Sequence, residues 1–228
     1  MKAIFFDSGP IISLVMSRSI WVLPKLKEQY GGEFYITPAV KRELVEHPIT
    51  VKRFEFEALQ TMKLIEDGVL KVYDKIPKKK VDDLISLANS SFKIGNKTID
   101  LIQSGEMEII AAALETNADA VIIDERTIRL FIENNREMEK LLERRFRKKV
   151  TSNKEKMDQF SQQFKSLKII RSVELVATAY KLGMLDMYLP KQSGAKELLL
   201  DSVLWATKYN GSAVTGGEIQ EIKDYLLK

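Results

Sequence analysis

The sequence predicts an α/β fold in which a central, mostly parallel sheet lies between two layers of helices. Three observations carry that expectation. Two unbroken apolar runs, Ala3-Ile4-Phe5-Phe6 and Ala120-Val121-Ile122-Ile123, have the character of parallel strands covered on both faces. Each run ends in an acid, Asp7 and Asp124, at the strand end where open α/β sheets keep their ligands. Helical and extended patterns then alternate along the chain, as they do when helices wrap a parallel sheet.

The elements follow in order. After the first run, Asp7-Ser8-Gly9-Pro10 reads as a helix start, with Ile11, Ile12, Leu14 and Val15 for its packed face. Residues 20–30 form a second amphipathic helix, stopped by Gly31-Gly32. Phe34-Tyr35-Ile36 is a short strand. Thr37 and Pro38 cap and open a helix bearing Val40, Glu43 and Leu44, which His47-Pro48 ends. A helix over 52–65, a strand over 69–73, a solvated loop over 75–80 and a helix over 81–88 come next. Ser104 opens a helix whose buried stripe is Met107, Ile110, Ala111 and Leu114. A last strand over 167–170, a helix capped by Ser172 and closed by Gly183, and helices over 195–209 and 217–227 complete the chain.

Segment 134–164 departs from this rhythm. It is polar and charged, yet Met138, Leu141, Leu142, Met157, Phe160 and Phe164 keep a sparse helical pattern. It reads as a charged helical hairpin projecting from the sheet domain, with Arg144, Arg145, Arg147, Lys148 and Lys149 as its basic cluster. The expected division is therefore 1–133 for the α/β core, 134–164 for the insertion, and 165–228 for the strand and helices that complete the same domain.

Composition narrows the function. With 228 residues, 45% hydrophobic and 30% charged, the chain can bury a real core and is not disordered. No apolar run approaches the ~20 residues of a bilayer span, and the chain opens into a strand and not a secretory signal. The absence of cysteine excludes disulfides and thiol chemistry. A cytoplasmic protein with no membrane partner is the expectation. One histidine, His47, argues against His-based hydrolysis. The net charge of +4 leans only weakly towards anionic partners.

The chemistry therefore rests on carboxylates. If the strands of Asp7 and Asp124 are neighbours, the two acids face one crevice, and Glu43 and Glu106 fall at its rim. Acids so placed repel one another unless a cation sits among them. Hard oxygen ligands without Cys or a suitable His point to Mg²⁺ or Mn²⁺, ions suited to phosphodiester hydrolysis. The alternative is ordinary: Asp7 caps a helix, and Glu43 and Glu106 are helix acids, the latter favoured by the dipole of a first turn.

Three segments resemble the PIN-domain family of Mg²⁺/Mn²⁺-dependent nucleases. Ile4-Phe5-Phe6-Asp7-Ser8 is similar to its opening strand and first acid. Thr37-Pro38-Ala39-Val40-Lys41-Arg42-Glu43-Leu44 resembles the helix carrying the second. Gly105-Glu106-Met107-Glu108, with the Asp124 strand, resembles a prokaryotic Gly-Glu-x-Glu subgroup, in which the third and fourth acids stand at this interval (124 − 106 = 18). One departure is that Ile122 and Ile123 stand where most relatives have a hydroxyl or amide residue before the fourth acid.

The resemblance implies a three-layer α/β/α domain cleaving single-stranded RNA with metal-activated water. Asp7, Glu43, Glu106 and Asp124 would be its ligands and catalytic acids. Glu108 and Glu125 remain candidates for substitute or supporting ligands. Ser8, Arg126, Arg129, Arg144, Arg145 and Arg147 are candidates for holding substrate. It also implies either a toxin with an antitoxin protein partner or an RNA-processing nuclease; homodimers are common in that family, and the oligomeric state here stays open. Two rivals stand beside it: a PIN-like binding or interaction protein without activity, and a metal-dependent phosphohydrolase acting on small molecules.

Overall fold

A computed structural model describes residues 2–99, 104–133 and 135–228 of the chain; the insertion boundary expected at Asn134 lies outside them. Strand β1 (Ala3–Phe6) is buried along its whole length, as its uninterrupted apolar run requires. Helix α1 (Ser8–Met16) follows, then α2 (Val22–Tyr30), which ends at Gly31 in the left-handed region, φ 65. Strand β2 (Glu33–Ile36) leads into α3 (Pro38–Lys41), where Thr37 accepts the Val40 amide as N-cap. Helix α3 does not continue regularly: residues Arg42–Glu46 form a π-turn closed by the His47 amide on the Arg42 carbonyl.

Helix α4 (Glu55–Glu66), strand β3 (Lys71–Val72) and helix α5 (Lys78–Asn89) follow. The last of these takes three residues from the expected solvated loop. A hairpin that the sequence reading did not anticipate comes next, β4 (Phe92–Ile94) and β5 (Lys97–Thr98), turning at Gly95 with φ 59. Then come α6 (Ser104–Glu115), β6 (Ala120–Ile122), α7 (Arg126–Glu133) and α8 (Asn135–Phe146). Strand β7 (Thr151–Ser152), α9 (Lys154–Gln163), β8 (Lys168–Ile170), α10 (Ser172–Lys181), α11 (Ala195–Tyr209) and α12 (Gly216–Leu226) complete the order.

The main sheet runs β3-β2-β1-β6-β8, and every neighbouring pair is parallel. Its two apolar runs are therefore adjacent. Phe6 stands opposite Ile122, and the Asp7 amide donates to the Ile122 carbonyl at 2.9 Å. That register carries Asp7 and Asp124 to the same edge. Helices α1, α4, α10 and α11 pack together as one group, and α5, α6, α7 and α9 associate as another. Phe5, Phe6, Val121 and Ile122 are fully buried, each side chain contributing roughly 1.5–3 kcal/mol through its removal from water.

The insertion forms its two helices but does not project. Strand β7 pairs antiparallel with β4 in a second sheet, β5-β4-β7. Met138, Leu142, Met157, Phe160 and Phe164 are buried. The Phe160 ring stacks on Phe131 at 4.2 Å, and Phe131 meets Phe92 at 5.4 Å. The sparse apolar pattern is thus the inner face of a layer closed over α5 and α7. No helix among the described residues is long and apolar enough to cross a membrane.

Candidate active site

The four expected acids come from four different elements. Asp7 leaves the end of β1 with an extended backbone, φ −76 and ψ 164, and stands before the first turn of α1. It is 9% exposed. Burial pushes its carboxyl up to about 6, and the charges of Glu43 and Asp124 push in the same direction. The Ser8 and Gly9 amides pull it back only in part, without closing a capping bond. No described lysine or arginine forms an ion pair with Asp7, Glu43 or Asp124.

Glu43 is carried by the π-turn and is exposed. Such turns shift a side chain off the regular helical face and recur at functional sites. Its Oε1 lies 3.7 Å from the point where a β-carbon on Gly105 would stand. The carboxylate therefore sits against the N-terminal turn of α6, which the helix dipole favours. Glu106, the next residue in that turn, is half-buried. Gly9 lies between the strand acids: a β-carbon there would stand 3.6 Å from Asp7 Oδ2 and 3.7 Å from the Asp124 β-carbon.

Asp124 is held differently. Its Oδ1 accepts the Ser172 amide at 2.9 Å and the Ser212 hydroxyl at 3.1 Å. Its Oδ2 accepts the Ser172 hydroxyl at 2.6 Å and the Ser13 hydroxyl at 2.9 Å. Three hydroxyls from α1, from the start of α10 and from the turn after α11 thus close on one buried carboxylate. Gly211 makes this collar possible: it has φ 128, and a β-carbon on it would stand 3.0 Å from Ser13 Oγ. Ser13 and Ser212 were not anticipated, and Ser172 was read only as a helix cap. The available signals were a serine inside the apolar run of α1 and an Asn-Gly-Ser turn.

Other candidates are placed as follows. Ser8 is half-buried beside Asp7, and Arg126 is exposed at the start of α7. Glu108 is half-buried on α6. Glu125 accepts the Ile128 amide at 2.8 Å and so caps α7. Arg129 donates to Glu218 at 3.2 Å, and the same oxygen accepts from buried Arg171 at 2.6 Å. That shared pairing ties α7 to α12. Arg144, Arg145 and Arg147 are exposed at and just past the end of α8.

The donor set consists of oxygens alone, which suits Mg²⁺ or Mn²⁺. Among the described residues, no three Asp, Glu, His or Cys side chains are grouped closely enough to grip an ion as they stand. Asp7 and Asp124 are buried, whereas Glu43 stands exposed on its turn.

A family model described as a PIN domain matches residues 3–136. No curated protein matches the chain. Among solved structures, the chain is similar to the crystal structure of VapBC2 from Rickettsia felis bound to a DNA fragment from its promoter. Identity is 15% and the TM-score 0.41, over 56% of this chain and 90% of that one.

Proposed function

The chain belongs to the PIN-domain family, whose model spans more than half of it, and from that premise we propose a metal-dependent endoribonuclease that hydrolyses phosphodiesters of single-stranded RNA. The observation that carries this reading is the crowding of Asp7, Glu43 and Asp124 at one sheet edge. Burial and mutual repulsion raise the Asp7 carboxyl to about 6 there, with no cationic side chain among the described residues to relieve it. Asp7, Glu43, Glu106 and Asp124 would hold Mg²⁺ or Mn²⁺. A divalent cation in such a site lowers the pKa of bound water and neutralises charge on a phosphate. Asp7 orients and accepts from the attacking water, the exposed Glu43 closes the site from α3's side, and the collar keeps Asp124 in one rotamer. Ser8 and Arg126 contact the substrate phosphate.

A second reading has its own observation. The collar occupies both oxygens of Asp124 with four donors, which suits a binding protein that has kept the fold without the chemistry. One experiment separates the two. Purified protein given a labelled single-stranded RNA should cut it in millimolar Mn²⁺ or Mg²⁺. Chelator should stop cleavage reversibly, and Asp7→Asn should lower it at least 100-fold with RNA affinity retained. Binding without cleavage under every divalent cation would establish the second reading.

A further inference from the structure

Residues 144–149, Arg-Arg-Phe-Arg-Lys-Lys, carry five positive charges and no acid, and all six are exposed. The preceding acid, Glu143, is the one carboxylate next to them in sequence and forms no ion pair with them among the described residues. Its Oε1 accepts the Val150 amide at 3.2 Å and folds the basic turn back onto the end of α8. None of Lys97, Arg145, Arg147 and Lys148 forms an ion pair among the described residues.

Pairing of β7 with β4 brings this turn against the β4–β5 hairpin. Phe146 and Lys148 there meet Ile94, Lys97, Thr98 and Ile99 around a cleft of about 500 Å³. Phe146 ends the stripe of Met138 and Leu142, both fully buried, yet it is 38% exposed. The Arg145 guanidinium lies 5.9 Å over its ring. An exposed aromatic ring among unpaired cations is the arrangement that receives bases and phosphates of an unpaired strand. A second, independent observation is Arg147, which closes α8 in the left-handed region, φ 52. Glycine or asparagine is the usual choice there, because a β-carbon is strained. Arg147 thus sets its cation, next to Phe146 in the chain, at a position where glycine would fold more easily.

We propose that this cleft binds single-stranded nucleic acid, with a base against Phe146 and phosphates on Lys97 and Lys148. The inference rests on the phosphodiesterase reading for why such a strand is bound, and adds where it lies. The six residue-to-residue steps from Ile99 to Gly105 span at most about 22 Å even when fully extended, and Gly105 abuts Glu43. The cleft at Ile99 therefore lies within that distance of the turn that faces Glu43, a span a single strand can cover. A basic arm remote from the acids, as a projecting hairpin implied, is replaced by an entry platform beside them.

The test measures binding of a labelled 12-nucleotide RNA in chelator by fluorescence anisotropy across a salt series. Phe146→Ala should weaken binding at least fivefold, the lower end of a base–aromatic stack. Lys97→Gln and Lys148→Gln should each flatten the slope of log K against log salt by about 0.7. Arg147→Gly should weaken binding while the melting temperature holds or rises, which separates recognition from folding. Single-stranded DNA of the same sequence should lose affinity in parallel, since the ring and cations read bases and phosphates, not the sugar. Unchanged affinity in the Phe146 and lysine variants, or a blunt duplex bound as tightly as the single strand, overturns the proposal. Wild type that binds in this variant-sensitive way but never cuts would sink the nuclease reading and leave the cleft standing. Variants that bind and cut like wild type would do the reverse.

Discussion

Asp7 shows most directly what burying a single carboxyl costs in stability. Its carboxyl is raised from 3.8 to about 6 in the folded protein, so the native state binds more protons than the unfolded chain between those values. Stability is fully retained below pH 3.8 and falls as pH rises through about 6, by up to about 3 kcal/mol. Asp7→Asn should therefore be the more stable protein at pH 7.5, and its urea denaturation midpoint should vary less between pH 4 and 6 than that of wild type. Millimolar Mn²⁺ should raise the melting temperature of wild type and leave Asp7→Asn unmoved; equal shifts in both would remove Asp7 from the proposed metal site. The sequence made Asp7 and Asp124 legible because each ends a run whose burial is written in four consecutive apolar residues. It could not announce the collar. Ser13 and Asp124 stand 111 positions apart, and no local pattern encodes a hydroxyl that meets its acceptor only after the sheet has closed.

Among the elements, helices with a strong apolar stripe came out close to expectation, and departures cluster where tertiary contacts decide. The helix after Thr37 reads as regular, but Arg42–Glu46 widens into a π-turn, a change in backbone hydrogen bonding that side-chain periodicity does not reveal. The β4–β5 hairpin carried its signal in Gly95-Asn96, a turn pair between extended residues, and was hidden by its shortness. Segment 134–164 was judged by its charge when its apolar residues governed its fate. Phe160→Ala should accordingly cost about 3–5 kcal/mol in urea unfolding; a loss under 1 kcal/mol would mean that the insertion is peripheral after all. The Arg129–Glu218–Arg171 pairing makes a matching claim for α12. Burial alone would raise Glu218, but the Thr215 amide and hydroxyl and the Arg171 guanidinium bring it down to about 2. Its contribution is therefore present above pH 4.5 and is lost as pH falls towards 2. Glu218→Ala leaves the largely buried Arg129 guanidinium without its carboxylate, while Arg171 keeps Glu174, and should destabilise the protein by about 3 kcal/mol, most visibly as earlier exchange of α12 amides.

For the molecule as a whole, the order β3-β2-β1-β6-β8 makes the site a product of the entire chain. The family-matched portion, residues 3–136, contains all four acids but not β8, which covers the open edge of β6, nor Ser172 and Ser212. A fragment ending at residue 136 should fail to fold cooperatively, with a broad thermal transition and dye binding to exposed apolar surface. A sharp two-state transition in that fragment would show that the C-terminal helices are an accessory. The parallel, mostly buried sheet was readable from composition and alternation. The order of its strands was not, because it depends on which crossover packs where.

The serine collar around Asp124 also has a consequence in time. A growing chain that has delivered all four acids must be extended by roughly 90 residues before Ser212 exists. At translation speeds of about 5–20 residues per second, that delay is on the order of 5–20 s. Until Ser172 is made the crevice lacks two of the three hydroxyls that hold Asp124, and from then until Ser212 it lacks one. A ribosome-bound chain that stops short of Ser212 therefore holds its four acids without the complete collar, and Asp124 reaches its described setting only once that turn has been made.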